Sequence, residues 1–254
     1  MSRAVSFRNF LLEDFEYHKE LCPKVWEASE ETGGQFRIKP EIREKLMAIA
    51  SDFWNSLKLE VKAVDVQLTG SLANYNWTNA SDLDVHIIVD FAEVNQDIEL
   101  VRKALDGQRF VWNLRHPVVI KGHDVECYIQ HTEAQHKASG LYSLLRDKWI
   151  IVPFYSPPNV DERDVKEKTR VIVKEVNEIE NRSKSTTGKD ARELLDYLER
   201  FKAKIMADRK FGLYDTLAGE YSVENLVFKE LRKTGTIEKI IDLASNLYSK
   251  IYYE

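Results

Sequence analysis

Apolar positions recur along this chain with two different periods. Between Lys39 and Leu57, the residues Ile42, Leu46, Ile49, Phe53 and Leu57 fall at helical spacing, and Pro40 suits a first turn. Val64, Val66 and Leu68 then alternate with Asp65, Gln67 and Thr69, which predicts a strand with one exposed face. The pattern changes at Gly70, and a loop rich in Asn and Thr leads to Leu83, Val85, Ile87 and Val89, a second strand. Asn95–Leu105 reads as a helix. Val118–Ile120 and Val125–Ile129 read as a hairpin around Lys121-Gly122-His123, and Leu141–Leu145 and Trp149–Val152 as another. From Asp161 onward only the helical period remains, over Val165–Ile179, Ala191–Met206, Val223–Leu231 and Ile237–Tyr252.

This switch, together with Pro153, Pro157 and Pro158, predicts an α/β (α+β) protein of two parts: residues 1–158, a mixed sheet with flanking and N-terminal helices, and residues 159–254, a helical domain. The 254 residues are 43% hydrophobic and 31% charged, with 10 Gly and 6 Pro, a composition that excludes disordered, collagenous and disulfide-scaffold classes. Cys22 and Cys127, one in each of two apolar segments, read as two buried thiols of a reducing compartment. No run approaches the roughly 18 apolar residues of a membrane helix, and Met1–Glu13 holds Arg3 and Arg8 without an export cleavage pattern, so a cytoplasmic location and no membrane partner are expected. The net charge of −5 resides in the first part, because residues 160–254 carry 19 basic and 19 acidic side chains. Neither part has the basic excess that duplex DNA binding predicts.

The chemistry-bearing stretch is Gly70-Ser71, followed ten residues later by Asp82-Leu83-Asp84. On a strand, Asp82 and Asp84 project to one side, and so does His86. Glu126, between Val125 and Cys127, supplies a third carboxylate if its strand runs beside the Asp strand, although Asp124 has the same phase. Like charges about 4 Å apart repel by roughly 4 kcal/mol at an effective dielectric near 20, so such a cluster calls for a cation. An all-oxygen set favours Mg²⁺ or Mn²⁺ over zinc. The glycine lets backbone approach a phosphate, and the Ser71 hydroxyl can donate to it. His131 and His136 are five apart, off the helical ligand spacing.

Gly70-Ser71 with Ser81-Asp82-Leu83-Asp84-Val85 and the later Glu126 resembles the signature of nucleotidyltransferases of the DNA polymerase β type. The stretch Tyr17-His18-Lys19-Glu20 and the full-length pattern resemble uncharacterised stand-alone nucleotidyltransferases of tailed phages, which implies a virus-encoded protein acting in host cytoplasm. The resemblance implies a mixed-sheet core followed by a helical domain, and a two-metal transfer of a nucleoside monophosphate from an NTP to a hydroxyl acceptor. The acceptor is a small molecule, an RNA 3′ end, a protein or a second nucleotide. Asp82 and Asp84 would bind both metals, Glu126 would contact the catalytic one and act as or near the general base, and Gly70 and Ser71, with Ser81, would hold phosphates. In the family the helical domain commonly closes over the nucleotide, which makes Lys229 and Arg232, on one face of their helix behind an N-cap at Ser222, the expected triphosphate or acceptor contacts. This chain departs from the family in Asn74 and Tyr75, where many members have a basic and a small residue; Tyr75 or Trp77 is then free to stack on a base. The alternatives are a catalytically silent nucleotide-binding or assembly module of the same fold, and metal-dependent phosphoester hydrolysis.

Overall fold

In a computed structural model the described residues are 18–29, 36–79, 81–134, 138–155, 160–216 and 218–253. The chain forms two compact units, one of Glu16–Pro157 and one that includes Pro158–Glu254. The expected N-terminal helices lie, as far as residue 17, outside the described residues. Seven α-helices accompany the strands among the described residues, and none of them is long and apolar enough to cross a membrane.

The first unit is built on a mixed six-stranded sheet. In chain order its elements are the short hairpin β1 (Trp26–Ala28) and β2 (Phe36–Ile38), α1 (Pro40–Ser56), β3 (Asp65–Thr69), β4 (Leu83–Val89), α2 (Phe91–Val94), α3 (Ile98–Arg115), β5 (Val119–Ile120), β6 (His123–His131), β7 (Leu141–Ser143) and β8 (Lys148–Ile151). The sheet order is β5-β6-β4-β3-β7-β8, with β1 and β2 forming a separate pair. Only β4 and β6 are parallel. A parallel pair needs a crossover, and α2 and α3 lie within it. One face of the sheet, including Leu68, Leu83, Val85, Ile87, Val125, Cys127 and Tyr142, forms a core with Ile42, Leu46, Ala50 and Phe53 of α1 and Val101 and Leu105 of α3. Both cysteines are free and buried.

Two expectations change. First, β3 does not expose a face: all five of its residues are buried. Its polar residues bond within the protein, with Thr69 donating to the Gly140 carbonyl at 3.2 Å. Asp65 accepts hydrogen bonds from the Val66 amide (2.9 Å), Gln67 Nε2 (3.1 Å) and Ser143 Oγ (2.7 Å). Second, α3 runs ten residues past Leu105. Beyond that point the side that meets β6 is polar. The Asn113 side chain donates to the Cys127 carbonyl (3.0 Å) and accepts from the Cys127 amide (3.1 Å), and Arg109 lies over the Tyr128 ring at 4.7 Å. Asp90, immediately after β4, caps α2 by accepting from the Ala92 amide at 2.9 Å. The predicted β5–β6 turn forms, with positive φ at both Lys121 (55°) and Gly122 (91°).

The second unit consists of α4 (Glu162–Ser183), α5 (Gly188–Tyr214), α6 (Val223–Lys233) and α7 (Thr236–Tyr253) around a core that includes Val165, Val176, Leu194, Leu198, Leu231, Ile240 and Leu247. As expected, the Ser222 hydroxyl caps α6, accepting from the Asn225 amide at 3.3 Å.

Candidate functional site

Register builds the site. Thr69 pairs with Asp84 across β3 and β4, and Asp84 pairs directly with Glu126 across the parallel strands β4 and β6. Directly opposed residues share a face, so Asp84 and Glu126 stand side by side on the face away from the Leu83–Val85 core. Behind them on the same face come His86 opposite Tyr128, then Ile88 opposite Gln130. Asp124 is exposed and pairs with Val119 on β5, so Glu126, not Asp124, faces Asp84. Asp82 and Ser81 lie immediately before β4, both half-buried.

The bend after β3 reaches the same point. Gly70 takes φ 79° and ψ −166°, a conformation that side chains rarely adopt. A Cβ built on it would sit 2.1 Å from Asp84 Oδ2. The carboxylate thus lies against the Gly70 backbone, closer than any other residue type permits. Ser71 opens a single 3₁₀ turn, Ser71–Ala73, and its hydroxyl donates to Ser81 Oγ at 2.8 Å. Ser81 Oγ also accepts from the Thr78 amide at 2.9 Å.

The structure therefore brings together Gly70, Asp84 and Glu126, joins Ser71 to Ser81, and places Asp82 between Ser81 and β4. Lys229, half-buried, and Arg232, exposed, lie on α6 of the second unit. The aromatic residues of the loop are engaged within the chain. Trp77 stacks on His18 with centroids 3.7 Å apart and donates from Nε1 to the Glu20 carbonyl, and Tyr75 meets Tyr155 edge-on at 5.7 Å. Among the described residues, no three His, Cys, Asp or Glu side chains form a group able to hold a metal ion. The Asp84–Glu126 pair matches the donor chemistry of Mg²⁺ or Mn²⁺, which take one or two carboxylates and complete their shells with water and substrate phosphate.

Sequence reasoning passed over two neighbours. Tyr128 follows Glu126 by two residues, so the strand period alone puts it on the same face. Its hydroxyl donates to Glu126 Oε2. The ring is held between Arg109 and His86, the latter stacked at 4.8 Å with its Nδ1 2.7 Å from Gln130 Oε1. Burial, then the negative charge of Asp84, then the bond to Glu126 push the phenol well above its ordinary range. It remains a neutral donor to Glu126 at any physiological pH. The second is His123, the buried first residue of β6.

Comparison with known protein families, with curated proteins and with solved structures finds no match for this chain.

Proposed function

We propose that the Glu16–Pro157 unit is a metal-dependent nucleotidyltransferase that moves a nucleoside monophosphate from an NTP to a hydroxyl-bearing acceptor and releases pyrophosphate. The observation that carries this reading is the direct cross-strand pairing of Asp84 with Glu126 against the Gly70 bend. The sequence signature around these residues supports it, as does a mixed sheet that sets one carboxylate on each of two parallel strands.

Asp82, Asp84 and Glu126 would hold Mg²⁺ or Mn²⁺, which when bound neutralises phosphate charge and lowers the pKa of an attacking hydroxyl. The chain's own residues supply the rest. The bend lets the Gly70 backbone come close to the triphosphate, and the Ser71–Ser81 hydroxyl pair offers donors to its oxygens once it opens. Glu126, with one oxygen bonded to the Tyr128 hydroxyl, would take up the acceptor's proton on the other. The acceptor oxygen bonds to the α-phosphorus as the bond from that phosphorus to the β-bridging oxygen breaks, and pyrophosphate leaves.

The test is incubation with each of the four α-labelled NTPs, Mg²⁺ or Mn²⁺, and candidate acceptors: a short RNA, a second nucleotide, or the protein itself. Label transfer with pyrophosphate release, abolished in Asp84→Asn, is the expected result. Mg²⁺ with NTP should also raise the melting temperature of the wild type and not of Asp84→Asn, because a ligand that binds only the folded state stabilises it. No transfer under any condition, with the same NTP-linked rise in both proteins, would replace the enzyme with a silent binding module.

A further inference from the structure

A line of polar contacts runs from the buried Cys22 thiol through His123 to Ser81, the residue before Asp82. His123, the first residue of β6, is 1% exposed, and both ring nitrogens face partners. Nδ1 lies 2.7 Å from the Ser81 carbonyl oxygen, and Nε2 lies 3.9 Å from Cys22 Sγ. A carbonyl only accepts, so Nδ1 carries the proton. In the neutral ring Nε2 is then an acceptor, and the fully buried Cys22 thiol donates to it. Ser81 is where three segments meet. Its carbonyl is held by His123, its hydroxyl accepts from Ser71 (2.8 Å) after the Gly70 bend and from the Thr78 amide (2.9 Å), and its chain continues directly into Asp82. On the other side, His123 lies three residues before Glu126 on the same strand.

We infer that His123 is a positioning residue: by donating from Nδ1 to the Ser81 carbonyl it sets the backbone that enters Asp82 and Asp84 relative to the strand carrying Glu126; the carbonyl fixes the tautomer, and the Cys22 thiol faces the nitrogen that this leaves unprotonated. The inference rests on the nucleotidyltransferase reading of the carboxylates. It follows from the tolerance of such sites, in which ligating groups must be held to within about 0.5 Å. Asp82 lies outside the β4 ladder and directly follows Ser81, so the hold on the Ser81 carbonyl contributes to its position. His123 spans the interval between the two segments with one side chain, and being buried it does so without competition from water.

Two substitutions separate this role from mere packing. An asparagine amide nitrogen falls where Nδ1 stands, whereas a glutamine amide nitrogen falls where Nε2 stands. His123→Asn therefore keeps the donor to Ser81, and His123→Gln loses it although glutamine is closer to histidine in volume. In the full chain, Mn²⁺ affinity measured from the electron paramagnetic resonance of the free ion should fall by about 10–100-fold in His123→Gln, the usual cost of losing a group that orients a ligand. His123→Asn should stay close to wild type. Equal losses, or a larger loss in His123→Asn, would overturn the inference. Because either variant can fail to fold, the tautomer is read independently by ¹⁵N spectroscopy of the unaltered protein, where an Nε2-protonated ring would overturn it. If the wild type binds neither Mn²⁺ nor NTP, the nucleotidyltransferase reading fails by itself. Amide exchange at Thr78 and Asp84 then decides for His123: faster exchange in His123→Gln than in His123→Asn supports the positioning role, and equal rates refute it.

Discussion

Replacing Gly70 with alanine puts two separate costs on one methyl group. The backbone there, φ 79° and ψ −166°, lies in a region that belongs in practice to glycine, and holding another residue in it costs about 1–3 kcal/mol. The new Cβ would also stand 2.1 Å from Asp84 Oδ2 and 3.1 Å from Asp84 Cγ, so the carboxylate has to leave its place. Asp84 is paired on both sides in the sheet, with Thr69 and with Glu126, and its backbone cannot follow. Its side-chain torsions must absorb the displacement, at about 0.5–1.5 kcal/mol if they are driven off a rotamer. Together these amount to about 1.5–4.5 kcal/mol, a fall in melting temperature of roughly 3–18 °C for a unit of this size. Differential scanning calorimetry measures this directly. Gly107→Ala is the matched control: it lies inside α3 with nothing within 4 Å of its added Cβ, and should instead stabilise by about 0.5–1 kcal/mol. Besides the lower melting temperature, Gly70→Ala should lose the further rise produced by Mg²⁺ and NTP, because the displaced carboxylate is the proposed ligand. A Gly70→Ala protein that melts within a degree of wild type and keeps its ligand-linked rise would show that the bend and the carboxylate are not packed together, and the proposed site would lose its geometry.

Two further outcomes follow from burial around the sheet. Burial pushes the Cys127 thiol up to about 12, and the phenols of Tyr128 and Tyr142 are raised as well, by burial first and then by the carboxylates near them. The unfolded chain releases these protons from about pH 9 for the thiol and pH 10 for the phenols, while the folded chain keeps them. This stabilisation is therefore complete below pH 9 and declines above it, by about 1.4 kcal/mol per pH unit for each group. Urea midpoints between pH 8 and 11 should fall accordingly, Cys127→Ala should flatten the first unit of that decline, and a level profile would contradict the burial of all three. At the sheet edge, Asn113→Ala leaves the amide and carbonyl of Cys127 without partners, at a cost of about 1–3 kcal/mol in chemical denaturation. A cost below about 0.5 kcal/mol would mean that water replaces the side chain there.

Elements whose buried side is apolar were legible in the sequence. The stripe Ile42–Leu46–Phe53 of α1 and the alternation Leu83–Val85–Ile87–Val89 of β4 announce both the element and the face it buries. The second half of α3 was not legible, because Arg109 and Asn113 turn toward β6 where a periodicity reading looks for Leu or Ile. The β1–β2 hairpin was missed for a different reason: strands of three residues are too short to establish a period. On β3 the alternation was read correctly and its meaning was not. Asp65 and Gln67 look solvent-facing in a list of residue types, yet both are buried, with the Gln67 amide and the Ser143 hydroxyl donating to Asp65.

The candidate site divides along the same line. That Asp84 lies in phase with His86 follows from the period of two, and that Glu126 lies on a strand follows from its apolar neighbours; Asp82 precedes the first residue of β4, outside the ladder in which that period holds. Which acidic residue of β6 meets β4 does not follow from either, because Asp124 and Glu126 have the same phase. The parallel pairing decides it by setting Leu83 against Val125 and hence Asp84 against Glu126. A slip of one residue would have turned Glu126 into the core and brought Val125 or Cys127 opposite Asp84, at the cost of burying a carboxylate among Leu83, Val85 and Phe53. The apolar alternation that fills the core is therefore also what fixes the carboxylate pairing. For that reason a core substitution on β6, such as Val125→Thr, bears on the site chemistry although its side chain points away from it.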